Sequence, residues 1–193
     1  MSEPAITEPV RTPGNINLAN ALTVLRIVLI PVFVLFMVAS ELTEPAYRIA
    51  AALAFGVASL TDFADGWIAR TFNQVTSFGK LADPIADKAL TGTAVILLSV
   101  YDALPWWVTV VVLVREIGVT ALRFWVIRFG IIPASRGGKI KTVLQIGAIA
   151  WYIWPFTDPL KAVGPWLMLV AVTVTVVTGV DYVVQAVRLR RPR

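Results

Sequence analysis

Six apolar stretches separated by short polar connections run along the chain at 22–39, 49–69, 85–100, 104–127, 143–156 and 160–187. A hydrocarbon layer about 30 Å thick takes roughly 20 apolar residues per helix, so the pattern predicts an all-α membrane protein with six transmembrane helices. The fifth stretch is the shortest and closes on Trp151, Tyr152, Trp154 and Pro155, aromatics of the kind enriched where a helix meets lipid headgroups. One membrane domain is expected at 15–187, with a flexible N-terminal tail at 1–14 and a basic tail at 188–193. The first residues hold Glu3, Pro4, Glu8, Pro9, Arg11 and Pro13 and lack the apolar core and cleavage site of a signal peptide. The stretch from Gly130 to Gly138 reads as a linker.

Composition agrees with this pattern. Of 193 residues, 58% are hydrophobic and 15% charged, against about half and about a quarter in an average soluble domain. The formal charge is +5, but the basic residues sit between apolar stretches rather than in one aromatic-interleaved patch, which argues against nucleic acid. With the N-terminus inside, the cytoplasmic side collects Arg11, Arg70, Lys80, Arg128, Arg136, Lys139, Lys141 and the C-terminal arginines, while Arg48 and Lys161 fall outside. That bias predicts a cell-membrane protein with both termini cytoplasmic. Cysteine and histidine are absent, which removes disulfides, Cys/His zinc sites, thiol nucleophiles and imidazole bases.

The candidate chemistry lies in Asp62, Asp65, Asp83 and Asp87. The first two are three apart at the end of the second predicted helix, the others four apart at the start of the third, so each pair shares a face. The short connection from Thr71 to Phe78 predicts antiparallel neighbours and one membrane depth for all four acids. Carboxylates so placed repel one another and are functional candidates by default. An all-oxygen site suits a hard cation such as Mg²⁺ or Mn²⁺, and four acids suit two ions. The structural alternative is a salt-bridge network with Arg70, Lys80 and Lys88. Gly66 and Ala69, on the face of Asp62 and Asp65, and Gly79 on the partner helix leave room for a flat ligand or for close helix packing.

The pattern D-x2-D-G-x2-A-R-x8-G-x3-D-x3-D stands complete from Asp62 to Asp87, and it resembles the signature of the CDP-alcohol phosphotransferases. The resemblance implies six transmembrane helices, a homodimer and a site at the cytoplasmic interface. It further implies that Asp62, Asp65, Asp83 and Asp87 bind two metals and that Asp87 is the catalytic base. CDP would lie on Asp62, Asp65, Gly66, Ala69, Arg70 and Gly79.

Outside the signature the chain is similar to the phosphatidylglycerophosphate synthase branch of that family. Asn17-Leu18-Ala19-Asn20-Ala21-Leu22-Thr23 with Arg26 resembles an N-I-P-N-x-L-T-x-x-R segment, with Ala19 in place of proline. Asn73 to Lys80, Arg115-Glu116-Ile117 with Arg123, Ala134-Ser135 and Gly138 to Thr142 extend the likeness, while Leu81-Ala82-Asp83 departs from the usual L-D approach. The implied donor is CDP-diacylglycerol, a membrane lipid, and the implied acceptor glycerol 3-phosphate. An acceptor with its own phosphate needs cations, and Arg suits phosphate through its planar fork. Arg115, Arg123, Lys139 and Lys141 are the candidates for its phosphate. Inositol phosphate or phosphatidylglycerol are alternative acceptors, and a metal-cation transporter is the alternative from another class.

Overall fold

The computed structural model describes residues 17–72, 76–126 and 136–190. Among them are α1 (Leu18–Ser40), α2 (Pro45–Thr71), α3 (Ser77–Val100), α4 (Trp106–Val126), α5 (Arg136–Ile153), a 3₁₀ turn (Leu160–Val163) and α6 (Gly164–Arg190), with no strand. The expected N-terminal tail, the end of the basic tail at 191–193, the loop 73–75, and Ala134 and Ser135 lie outside the described residues.

Helices α1, α2, α3 and α5 begin four or more residues before their apolar stretches, and at α1 and α3 a polar side chain caps the start. The Asn17 side chain accepts from Asn20 N at the head of α1, and the Thr76 hydroxyl accepts from Gly79 N at the head of α3, each satisfying a free helix-end donor. The third helix thus starts at Ser77, and Asp83 and Asp87 stand inside it rather than at its start. Likewise α5 takes in Gly137 and Gly138, so the expected linker is partly helical.

Helices Leu18–Ser40, Pro45–Ile68 and the segment Leu160–Leu189 are long and apolar enough to cross a membrane. The other three carry charges at site positions: Asp83, Asp87 and Lys88 in α3, Arg115, Glu116 and Arg123 in α4, and Lys139 and Lys141 in α5.

The apolar core fills one end of the bundle. Phe33 and Met37 of α1, Phe55 of α2, Val95 and Leu98 of α3, Val112 of α4, and Ile149 and Ile153 of α5 are almost wholly buried there. The Phe33 and Phe55 rings meet at 5.6 Å. At that end Arg48 donates to the carbonyls of Leu42, Tyr152, Ile153 and Trp154 at 3.0–3.2 Å, fastening the α1–α2 turn to the end of α5. Buried Ser99 and Thr109 bond at 2.6 Å between α3 and α4.

Helix α1 packs along both α2 and α3, whereas α2 and α3 touch each other only sparsely. The two aspartate-bearing helices are thus neighbours that touch lightly and are joined mainly through α1. Their carboxylates repel, and α1 stands between them with the opposite charge.

Candidate active site

At the other end of the bundle α1 presents Asn20, Thr23 and Arg26 on one face, three residues apart. All three are buried, Arg26 completely, at 0% exposure. From α2 come Thr61, Asp62 and Asp65, the last 3% exposed; from α3 come Gly79, Asp83 and Asp87. Arg26 Nη2 is hydrogen-bonded to Asp65 Oδ2 and Nε donates to Thr61 Oγ1 at 3.4 Å. Nη1 lies 3.0 Å from Asp62 Oδ1 and 3.9 Å from Asp83 Oδ1. Thr23 Oγ1 donates to Asp83 Oδ1 at 2.7 Å. Thr76 donates to Asn20 Oδ1 at 2.7 Å, locking the head of α3 to α1. A Cβ on Gly79 would come to 3.4 Å from Asn20 Oδ1, Asp83 Oδ2 and Thr76 Oγ1, so this glycine keeps the approach to Asp83 open.

One guanidinium against three carboxylates leaves a net charge of −2 (+1 − 3) in this group, a costly excess at the end of an apolar bundle. Among the described residues no three acidic side chains close around a common point; the carboxylates turn to Arg26 and Thr23. The donor set is nonetheless all oxygen in a chain without Cys or His, and fits hard divalent cations.

Asp87 looks into a different space. With Thr91, Glu116, Lys141 and Gln145 it lines a cavity of about 10 Å³, the room of a single water, and lies in electrostatic range of Asp62, Glu116 and Lys141. Gln145 is 2% exposed, with neither amide atom hydrogen-bonded. Lys141 and Arg115 both pair with Glu116, Arg115 at 3.3 Å. Arg115 also donates to Thr175 O at 3.2 Å and Thr178 Oγ1 at 3.0 Å. A Cβ on Gly179 would stand 3.1 Å from Arg115 Cγ, so a side chain there would make Arg115 give by a few tenths of an ångström where it crosses α6.

Of the four candidate phosphate-binding cations, the structure gathers Arg115 and Lys141 around Glu116. Arg123 is exposed and lies over the Tyr182 ring at 5.7 Å, and Lys139 is exposed. The side chains of Ala69, Arg70 and Lys80 lie outside the described residues, and Lys88 Nζ donates to Pro84 O at 3.4 Å. Among the described residues, Arg26 pairs with three of the aspartates, and the Arg70 and Lys80 part of the expected salt-bridge network lies outside them. Sequence reasoning gave Arg26, Thr23, Glu116 and Gln145 no role at the aspartates. The signal for Arg26 was present, as the lone charge inside the first apolar stretch.

The chain matches the CDP-alcohol phosphatidyltransferase family over residues 16–177. It belongs to that family. It is 49% identical over 172 residues, 89% of this chain and 82% of the relative, to a probable phosphatidylglycerophosphate synthase of Mycobacterium tuberculosis (strain CDC 1551 / Oshkosh). Proteins named CDP-diacylglycerol–glycerol-3-phosphate 3-phosphatidyltransferase are each 38% identical across 86% of this chain, in Bacillus subtilis (strain 168), where 93% of the relative is covered, and in Escherichia coli (strain K12), where 92% is covered. The family and the apolar helices make this a membrane protein and a transferase.

Proposed function

We propose that this protein transfers the phosphatidyl group of CDP-diacylglycerol to glycerol 3-phosphate, giving phosphatidylglycerophosphate and CMP. What carries the reading is the placement of all four signature aspartates at one end of the bundle, in a chain whose relatives bear the names given above. Two divalent cations, Mg²⁺ or Mn²⁺, held by Asp62, Asp65, Asp83 and Asp87, would neutralise the donor pyrophosphate and the departing CMP. The cytidine nucleotide lies on Asp62, Asp65, Gly66, Ala69, Arg70 and Gly79.

Asp87 takes the proton of the acceptor hydroxyl as its oxygen bonds to the lipid-bearing phosphorus and the bond from that phosphorus to CMP breaks. An aspartate can serve because the proton leaves only as the new bond forms. Arg115, Arg123, Lys139 and Lys141 receive the acceptor phosphate. The partnership of Arg115 and Lys141 with Glu116 supports this, since their guanidinium and ammonium together carry more donors than Glu116, Thr175 and Thr178 take up. The protein is read as a multi-pass homodimer of the cell membrane with six spans, both termini and the site cytoplasmic.

Radiolabelled CDP-diacylglycerol offered with glycerol 3-phosphate, inositol phosphate or phosphatidylglycerol in turn tests the acceptor. Lipid product with glycerol 3-phosphate alone is expected; product with another alcohol but none with glycerol 3-phosphate overturns the assignment. Chelation with EDTA is expected to stop CMP release, and Mg²⁺ or Mn²⁺ to restore it.

A further inference from the structure

Arg26 sits where cations are needed and spends its charge unevenly. One edge of its guanidinium is fixed, Nε by Thr61 and Nη2 by Asp65. The other edge, Nη1, comes within 3.0 Å of Asp62 Oδ1 and 3.9 Å of Asp83 Oδ1 but makes no hydrogen bond. Ion pairing without aligned hydrogen bonds is the weaker kind. The Asp62 and Asp83 side chains are also about one-third exposed, against 4% for Asp65.

We propose that Arg26 is a built-in placeholder for divalent metal: its Nη1 edge holds Asp62 and Asp83 until a cation takes their oxygens, while its Nε/Nη2 edge keeps Asp65 oriented throughout. The inference rests on the reading of the aspartates as metal ligands. Metal and guanidinium compete for the same Asp62 and Asp83 oxygens, so arginine lowers the advantage a cation gains by entering. In return it prevents three acids at the end of an apolar bundle from forcing α2 and α3 apart. Arg26 is thus a positioning residue, and its effect is on metal binding and metal-free stability.

The test uses the full chain purified in detergent, with thermal midpoints measured in EDTA and in saturating Mn²⁺, and bound Mn²⁺ counted by electron paramagnetic resonance. Arg26→Gln is expected to lower the midpoint in EDTA and to be raised by Mn²⁺ more than wild type is, by roughly 4 °C extra. An equal or smaller rise, with Mn²⁺ bound to both proteins, overturns the placeholder role and leaves the metal reading standing. Absence of bound Mn²⁺ from the wild type overturns both. Should Arg26→Gln fail to fold, wild type labelled with ¹⁵N-arginine gives an independent readout. Saturating Mg²⁺ is expected to move the Arg26 Nη resonances, identified by their correlation to the Nε–H that is displaced in Thr61→Val, while that Nε–H keeps its metal-free position; Nη resonances that stay put overturn the proposal.

Discussion

The two ends of the bundle are built on opposite principles. At the end holding Phe33, Phe55, Leu98 and Ile149, side chains are buried against one another, and Arg48 and Ser99 are satisfied there, the first by four carbonyls and the second by Thr109. At the end holding Arg26 and the aspartates, acids outnumber the guanidinium among them, and Gln145 is buried without a partner. Unsatisfied buried polar groups cost stability, and a fold keeps them together where a ligand will complete them. One end therefore holds the protein together, and the other is left chemically incomplete.

Substitutions should separate the two ends, and the largest effect is expected from Asp87→Asn. Loss of the proposed base should lower turnover by about 10²–10⁴-fold with the thermal midpoint at or above that of wild type, since a half-buried acid has been neutralised. A midpoint that collapses along with activity would erase the distinction between the ends. Phe55→Ala should do the reverse. Removing a ring at 0% exposure should cost about 3–5 kcal/mol of stability, measured by denaturant unfolding, with turnover per folded molecule retained. Arg48→Met should lose about 1.5–3 kcal/mol for its charged hydrogen bonds, again without changing KM for either substrate. The smallest effect is expected of Gly179→Ala, whose methyl would press on Arg115 Cγ at 3.1 Å. A few-fold rise in KM for glycerol 3-phosphate, with KM for CDP-diacylglycerol unmoved, would tie Arg115 to the acceptor, whereas an unchanged KM would leave it a strut between α4 and α6.

The contrast also explains what could be read from the residues alone. Apolar stretches give the number and order of helices because lipid-facing and core-facing positions are both hydrophobic. They place helix starts poorly, since α1 and α3 open on polar residues whose capping role depends on backbone geometry. The aspartates stood out because their spacing is local, two pairs each on one helix. Arg26 lies 36 residues from Asp62 and 57 from Asp83, and only the packing of α1 between α2 and α3 reveals the partnership. Arg115 and Arg123 are eight apart, a spacing that puts them on similar faces of α4, and both point to α6, at Thr175 and Tyr182. Asp181 in α6 accepts from the Gln185 amide at 2.7 Å, a local bond within one helix that leaves it outside the site.

The four carbonyl bonds of Arg48 have a mechanical consequence. A bundle clasped at one extremity behaves as a set of levers, whose free extremities travel farthest for a given tilt. For a helix of 27 residues such as α2, which carries Arg48 near one end and Asp62 and Asp65 near the other, about 40 Å of length turns a tilt of about 3° at the clasp into roughly 2 Å at the opposite tip. That stroke is comparable to the length of a metal–oxygen bond, so a barely perceptible pivot beside Arg48 would be enough to make or break the proposed metal coordination at the far end.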